Sequence, residues 1–318
     1  MSILAIYSTL SMIIEKRISF LRLIRLIWRE LLCILVVSTL PVVLLIFFDL
    51  VDYALNASIP MVIGTAIAIF LGFRTNSAYE RWWEARKLWG SIGAESRNLV
   101  RQCRSAIGST HPENSKADTA TVQKICYRQI AWVRLLNARL KELPMDEQEN
   151  VHLLSEADSS DLLNANDPLL AIQNRQSTDV RDCFRSGRIE SHQFTMIEET
   201  INRLVESYGG CQRIKSTVFP VHYTFFTRVF IWTFICLLAF SLPSHENANY
   251  SLIPAIFLIG WVFFMVEGIG SYMQDPFENN RNVIPMNALS RAIEIDLREC
   301  IGETDLPDPI KPIDGALY

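Results

Sequence analysis

Four long apolar runs interrupt an otherwise polar chain. They extend over residues 31–48, 54–73, 218–242 and 252–273. An α-helix rises about 1.5 Å per residue, so a run of about 20 apolar residues crosses the roughly 30 Å hydrocarbon core of a bilayer. The pattern therefore predicts four transmembrane helices in an all-α integral membrane protein.

Basic residues lie on only one side of these predicted spans. Five Lys or Arg residues precede the first span within residues 1–30, and four follow the second span within residues 74–87. The connecting segments 49–53 and 243–251 contain no Lys or Arg. Because basic residues accumulate on the cytoplasmic side, we expect both termini and the long middle segment in the cytoplasm of a multi-pass protein of the cell (inner) membrane.

This topology divides the chain into five segments. Residues 1–30 alternate basic and apolar positions, which predicts an amphipathic segment at the membrane surface. Transmembrane helices 1 and 2 occupy residues 31–73, and a helical cytoplasmic region follows in residues 74–216. Transmembrane helices 3 and 4 lie in residues 217–273, and residues 274–318 contain a C-terminal helix and an extended, proline-rich tail.

The long polar segment is predicted to be mostly helical. Residues 118–143 and 191–208 contain no Gly or Pro. Residues 144–174 are polar and acidic, which predicts loops or short helices. Gly209 and Gly210 are adjacent and predict a break in the helix rather than a phosphate-binding loop.

Composition and motifs exclude several classes of function. The mean hydropathy is +0.18, the net charge is −4 and the sequence pI is about 5.8, so no nucleic acid partner is expected. None of the seven cysteines forms a CxxC motif, which favours reduced thiols over a disulfide framework. The chain contains no GxSxG, GxxxxGK[ST], GxGxxG or HExxH motif, and its five histidines are scattered. We therefore expect neither an enzyme nor a bound cofactor or metal.

The second span carries a ridge of small side chains. Gly64, Ala68 and Gly72 are four residues apart and share one helix face. Ridges of this kind let helix backbones approach closely in membranes, so we interpret these three residues as a helix-packing surface. The same pattern also fits an ordinary buried helix whose small residues contact neighbours in the same chain.

Two larger ridges flank the small one, and either of them can face a shared axis if several copies assemble. Such an axis forms a narrow apolar constriction, which can gate ions by dewetting. Spacing alone does not choose between the two ridges. One contains Thr65, Ile69 and Phe73, and the other contains Ile63, Ile67 and Leu71.

Two motifs resemble signatures of the bestrophin family. The stretch from Phe73 to Arg86, FRTNSAYERWWEAR, resembles the segment that follows the second transmembrane helix, with Arg81, Trp82 and Trp83 as its most recognisable part. After the fourth span, Asp275, Pro276 and Phe277 resemble the family's Asn/Asp-Pro-Phe motif, and residues 291–298 are similar to the helix after it in bacterial members. The resemblance covers nearly the whole chain.

The resemblance implies a homopentameric channel in the lipid membrane with one central pore. Small monovalent ions are expected to pass through it, with chloride as the family default and cations as the alternative. Alignment on the Arg-Trp-Trp motif puts the narrow neck of the pore at Thr65, Ile69 and Phe73. Thr65 departs from the bulky apolar residue usual at the outer end of the neck.

The resemblance also implies a second constriction, ahead of the third span. Counting back from Pro220 points to His192, with Ile189 and Phe194 as alternatives. Animal members bind Ca²⁺ with a run of acidic residues after Pro-Phe. The corresponding stretch here, residues 278–282, reads ENNRN and has too few carboxylates for six to eight oxygen ligands, so no Ca²⁺ site is expected.

Two charged residues fall inside predicted spans. Glu267 lies in the fourth span and Arg228 in the third, and such residues have either a structural or a functional role. A secondary transporter is a weaker alternative, because the chain shows no internal repeat and the second span has no polar cluster. A membrane-anchored scaffold or signalling protein is the third alternative.

Overall fold

A computed structural model describes most of the chain. The described residues are 20–50, 52, 55–107, 115–143, 153–155, 158–159, 165–217, 221–243, 249–278 and 284–311. Within them the protein forms eight α-helices and no β-strand, as the sequence predicts. The helices are α1 (Phe20–Phe47), α2 (Ser58–Ile107), α3 (Ser115–Leu140), α4 (Pro168–Arg185), α5 (Ser191–Ser216), α6 (Val221–Ser241), α7 (Leu252–Met273) and α8 (Met286–Cys300).

The four predicted spans are confirmed by length and composition. Helices long and apolar enough to cross a membrane occur at Trp28–Phe47, Ser58–Ile107, Tyr223–Ser241 and Leu252–Met273. The first of these belongs to a helix that begins at Phe20, within the predicted N-terminal amphipathic segment. The rest of that segment, residues 1–19, lies outside the described part of the chain.

Helix α2 is a single helix of 50 residues. It passes without interruption through residues 73 and 74, where the second transmembrane segment was predicted to end. The chain forms two compact units, and α2 contributes to both, with the division between Trp82 and Trp83. We call the unit that contains the apolar spans, residues 15–82 and 218–275, the apolar unit. The other unit, which includes residues 83–217 and 276–318, is called the polar unit.

In the apolar unit, α1, α6 and α7 pack against one another in pairs, and the first part of α2 adds Ile67 and Leu71 to their core. Gly260 of α7 faces both α1 and α6. A Cβ added there lies 2.8 Å from a methyl carbon of Ile235 and 3.0 Å from one of Ile34. Gly260 therefore permits the three-helix contact, because a larger side chain requires the neighbouring helices to move.

In the polar unit, α3 packs against α4, α5 and α8 around a core that includes Trp89 and Trp132. Helix α4 begins at Pro168, inside the stretch predicted to form loops or short helices. The side chain of Asp167 accepts hydrogen bonds from the backbone N–H groups of Leu169 and Leu170. A capping carboxylate followed by proline is a strong helix start, which explains why this polar sequence is helical.

The predicted helix break at Gly209 and Gly210 is wrong, because α5 continues through both residues to Ser216. Gly210 is buried, and a Cβ added to it lies 2.8 Å from a methyl carbon of Leu88 on α2. Each glycine costs a helix about 1 kcal/mol relative to alanine. The close packing of α5 on α2 explains why position 210 is a glycine. Sequence spacing alone does not reveal this packing.

Candidate functional site

The ridge assigned to the pore neck lies on an exposed face of α2. Ile69 is 57% exposed and Phe73 is 68% exposed, and Thr65 is exposed one turn earlier. The Thr65 hydroxyl donates to the backbone carbonyl of Met61 at 2.9 Å, so its polarity is partly satisfied within the helix. Large apolar side chains with this exposure, on a helix of a membrane protein, are available to lipid, to another subunit or to a pore.

The alternative ridge is not available in this way. Ile67 and Leu71 are buried in the core of the apolar unit, and Ile63 is partly buried against the same core. Side chains committed to the interior of one chain cannot also line an axis between chains. Burial therefore argues against the ridge with Ile67 and Leu71, and the assignment of the neck to Thr65, Ile69 and Phe73 stays a prediction.

The ridge of small residues does not form one uniform packing surface within the chain. Gly64 is buried, and a Cβ added there lies 2.6 Å from the ring of Phe234 on α6. Ala68 and Gly72 are exposed, and a Cβ on Gly72 has no atom within 4 Å among the described residues. Gly64 thus packs inside the subunit, whereas the role of Ala68 and Gly72 in helix packing stays a prediction.

Arg74, the first residue after the predicted neck, is almost completely buried, with 1% exposure. Its Nη1 donates to Glu267 Oε1 at 3.1 Å, and its Nη2 donates to the hydroxyls of Thr224 at 3.1 Å and Ser271 at 2.9 Å. The side-chain oxygen of Gln274, in its hydrogen-bonded orientation, accepts from Arg74 as well. The positive charge of Arg74 is therefore neutralised inside the apolar unit.

Glu267 connects this arginine to a second one. The carboxylate is 2% exposed and accepts from the Ser271 hydroxyl at 2.9 Å, one turn further along α7. Arg228 of α6 reaches the same carboxylate at 3.4 and 3.5 Å. Glu267 and Arg228, the two charged residues inside the predicted spans, thus belong to one cluster. Arg74, Thr224 and Ser271 also belong to it, and no sequence pattern indicated their part in it.

The Arg-Trp-Trp motif lies about two to three helical turns beyond Phe73 on α2. Trp82 stacks on Tyr79 with ring centroids 6.1 Å apart, and Trp83 is about half exposed. Nearby, Asn76 donates to Glu80 at 2.8 Å, and both side chains are exposed. Glu80 is therefore a surface carboxylate close to the neck.

The second motif, after α7, has a different environment. Phe277 is completely buried in the core of the polar unit, and Pro276 is also buried. Asp275 is partly buried. The burial of Phe277 gives this motif a packing role within the polar unit.

The residues proposed for a second constriction differ sharply in accessibility. Ile189 is 3% exposed and belongs to the core of the polar unit, so it is not available to line a pore. Phe194 is partly buried and stacks on Phe184 at 5.2 Å between ring centroids. His192 is exposed in the first turn of α5, with Nδ1 3.2 Å from the Glu190 carboxylate. Of the three, His192 has the most exposed side chain, and its place in a second constriction stays a prediction.

The stretch that takes the place of the acidic run is only partly described. Glu278 is exposed, and residues 279–282 lie outside the described part of the chain. Among the described residues, no group of three or more His, Cys, Asp or Glu side chains is arranged to hold a metal ion. The absence of a Ca²⁺ site stays a prediction.

The fold and the site together define an all-helical, multi-pass membrane protein with an exposed apolar ridge on its longest helix. The profile of the family described as "Bacterial/Fungal Bestrophin protein" matches residues 13–299. The chain therefore belongs to the bacterial and fungal bestrophin family, as its two motifs predict.

Similar proteins come from several bacteria. The Escherichia coli K12 protein called "Voltage-dependent anion channel-forming protein YneE" is 31% identical over 254 residues, which cover 79% of each chain. The Mesorhizobium japonicum protein called "Voltage-dependent anion channel-forming protein mll4386" is 28% identical over 76% of this chain and 74% of its own length. The crystal structure of a variant of a Klebsiella pneumoniae bestrophin homolog has a TM-score of 0.79 at 25% identity, covering 87% of this chain and 99% of that one.

Proposed function

We propose that this protein is a homopentameric ion channel whose neck is lined by Thr65, Ile69 and Phe73 of α2. The exposure of Ile69 and Phe73, beside a ridge that is buried within the subunit, is the observation that supports this assignment most directly. Five copies arranged around one axis turn this ridge into an apolar ring. A ring of this kind controls ion flow by dewetting.

Small monovalent ions are the proposed permeants, and anions such as chloride are the first candidates. The names of the relatives, which describe anion channel-forming proteins, support this choice. An apolar neck discriminates weakly by sign, so nearby charges have to contribute. Arg74 is not a candidate for that role, because Glu267 and two hydroxyls hold it inside the subunit.

We also propose that both chain termini and the polar unit lie in the cytoplasm and that the protein resides in the inner membrane. The distribution of Lys and Arg along the chain supports this orientation. Within the polar unit, His192 is the candidate for a second constriction because its side chain is exposed.

The test is the reversal potential of the purified, full-length protein in a planar bilayer under a KCl gradient. We expect the current to reverse near the Cl⁻ equilibrium potential. A reversal near the K⁺ equilibrium potential contradicts anion selectivity and is still consistent with an ion channel. No current from protein that is folded and pentameric rejects the channel and favours a transporter or a scaffold.

A further inference from the structure

The buried cluster around Glu267 contains more positive than negative charge. Glu267 is its single carboxylate among the described residues, and it is shared by Arg74 and Arg228. The hydrogen bonds from Arg74 and Ser271, at 3.1 and 2.9 Å, have ordinary lengths. Those from Arg228, at 3.4 and 3.5 Å, lie at the outer limit of a hydrogen bond. Glu267 therefore neutralises Arg74 more fully than it neutralises Arg228.

Arg228 is also the member of the cluster that is open to its surroundings. Its side chain is 51% exposed, compared with 2% for Glu267. Its Nη1 makes no hydrogen bond to any residue that the structure describes, although it carries two N–H donors. An arginine in a membrane helix that makes only weak hydrogen bonds within its own subunit, and has further N–H donors exposed, is able to bind an anion from outside the subunit.

The surface beside Arg228 on α6 is apolar and aromatic. Phe225, Phe226, Val229 and Phe230 are all exposed, and the rings of Phe226 and Phe230 stack at 6.2 Å between centroids. Arg228 lies five residues after Tyr223, where the candidate span Tyr223–Ser241 begins. At about 1.5 Å per residue, this puts Arg228 within roughly 8 Å of that end of the span. An arginine at this depth reaches the headgroup region by extending along the helix.

We propose that Arg228 binds the phosphate of an anionic phospholipid whose acyl chains cover the exposed aromatic residues of α6. A guanidinium offers two parallel N–H donors, which matches phosphate geometry. The apolar surface next to it matches acyl chains, so the site fits an amphiphile better than a small soluble anion. A lipid with a net negative charge balances the excess arginine, whereas the choline group of a zwitterionic lipid does not.

Thermal unfolding in lipid nanodiscs tests this proposal without recourse to channel activity. The full-length protein is placed in phosphatidylcholine nanodiscs with increasing fractions of phosphatidylglycerol, and the unfolding temperature is followed by tryptophan fluorescence. We expect phosphatidylglycerol to stabilise the wild-type protein. Arg228→Gln is expected to need about tenfold more of this lipid for half of the effect, because a hydrogen bond to a charged group is lost.

Two further variants keep the test decisive. Arg101→Gln removes an exposed arginine of α2 outside the cluster, and it should retain the full response to phosphatidylglycerol. Arg228→Lys keeps the charge but not the paired donors, so it should weaken the response several-fold, and it decides the question if Arg228→Gln does not fold. Equal responses of the wild-type protein and the Arg228 variants overturn the proposal. Equal stabilisation by inorganic phosphate overturns it as well, because the site then takes a free anion.

Discussion

Arg74 of α2 and Glu267 of α7 form an ion pair of 3.1 Å in which neither side chain is more than 2% exposed. The pair joins the helix that carries the proposed neck to the last membrane helix of the chain. An unpaired charge in such a place is costly, because neither water nor a counter-ion reaches it. The position of Arg74 next to Phe73 means that this pair also fixes the part of α2 on which the neck depends.

Removal of the carboxylate should therefore destabilise the protein strongly. Glu267→Ala leaves two arginines without their common partner, and we expect it to lower the free energy of unfolding by about 3 kcal/mol or more. Asp296→Ala is the matched control, because it breaks an ion pair with Arg97 whose side chains are 44% and 42% exposed. We expect that control to cost less than about 1 kcal/mol. Equal unfolding midpoints of the two variants in detergent contradict a buried, stabilising pair.

Two glycines of α2 allow a second comparison. A methyl group at Gly64 meets the ring of Phe234, which is itself buried and packed on Phe263, so Gly64→Ala forces the helices apart. We expect a loss of about 1–3 kcal/mol in unfolding free energy. Gly72→Ala meets no atom within 4 Å in the described residues of the subunit.

For Gly72→Ala we expect no loss in the stability of the subunit, since alanine favours a helix by about 1 kcal/mol. Chemical denaturation of both variants in the same detergent measures the difference. If Gly72→Ala instead dissociates the oligomer on a sizing column while the subunit stays folded, Gly72 packs between subunits. If Gly64→Ala is as stable as the wild-type protein, the proposed contact with Phe234 is wrong.

The sequence was sufficient to predict the helical class, the four spans and the family. Long apolar runs and one-sided basic residues are properties of the chain itself, and they do not depend on which residues meet in space. The run from residue 252 to 273, for example, has the bounds of α7. The motif around Trp82 and Trp83 identified the family for the same reason.

Contacts between distant parts of the chain were not predictable in this way. Arg74 and Glu267 are separated by 193 residues, and nothing in their spacing indicates that they pair. The reason for a glycine at position 210 of α5 likewise lies in Leu88 of α2, which fills the space that a side chain would need. Ile189 and His192 lie close in sequence, and only the packing of the polar unit separates the buried residue from the exposed one.

Acid should weaken the polar unit through two carboxylates. Burial opposes ionisation of Asp158, but the Ser155 hydroxyl and Arg128 outweigh it and hold the pKa below its usual value. At Asp167, burial is likewise outweighed by the Tyr208 hydroxyl, the helix N-terminus and an arginine, which lower the pKa. Because both pKa values are lower in the folded state, the stability they contribute is complete above the unfolded value of about 3.9.

That contribution is lost as the pH falls through the folded pKa values. The unfolding temperature of the wild-type protein should therefore decrease as the pH falls below about 4. Asp158→Asn should be less stable near neutral pH and should show a shallower decrease. Asp308→Asn, which alters an exposed carboxylate of the tail, should leave the profile unchanged. Parallel curves for Asp158→Asn and the wild-type protein argue against a stabilising charge on Asp158.

The neck assignment is tested by the double variant Ile69→Ala, Phe73→Ala. Both side chains are exposed in the subunit, so their truncation should change the pore more than the fold. A wider and less apolar ring dewets less readily, and single-channel conductance in a planar bilayer should rise several-fold. The matched control is Leu40→Ala, Leu44→Ala, which removes two exposed apolar side chains from α1 and should leave conductance unchanged. Unaltered single-channel currents in the α2 variant, from protein with a normal oligomeric state, exclude Ile69 and Phe73 as the constriction that limits ion flow.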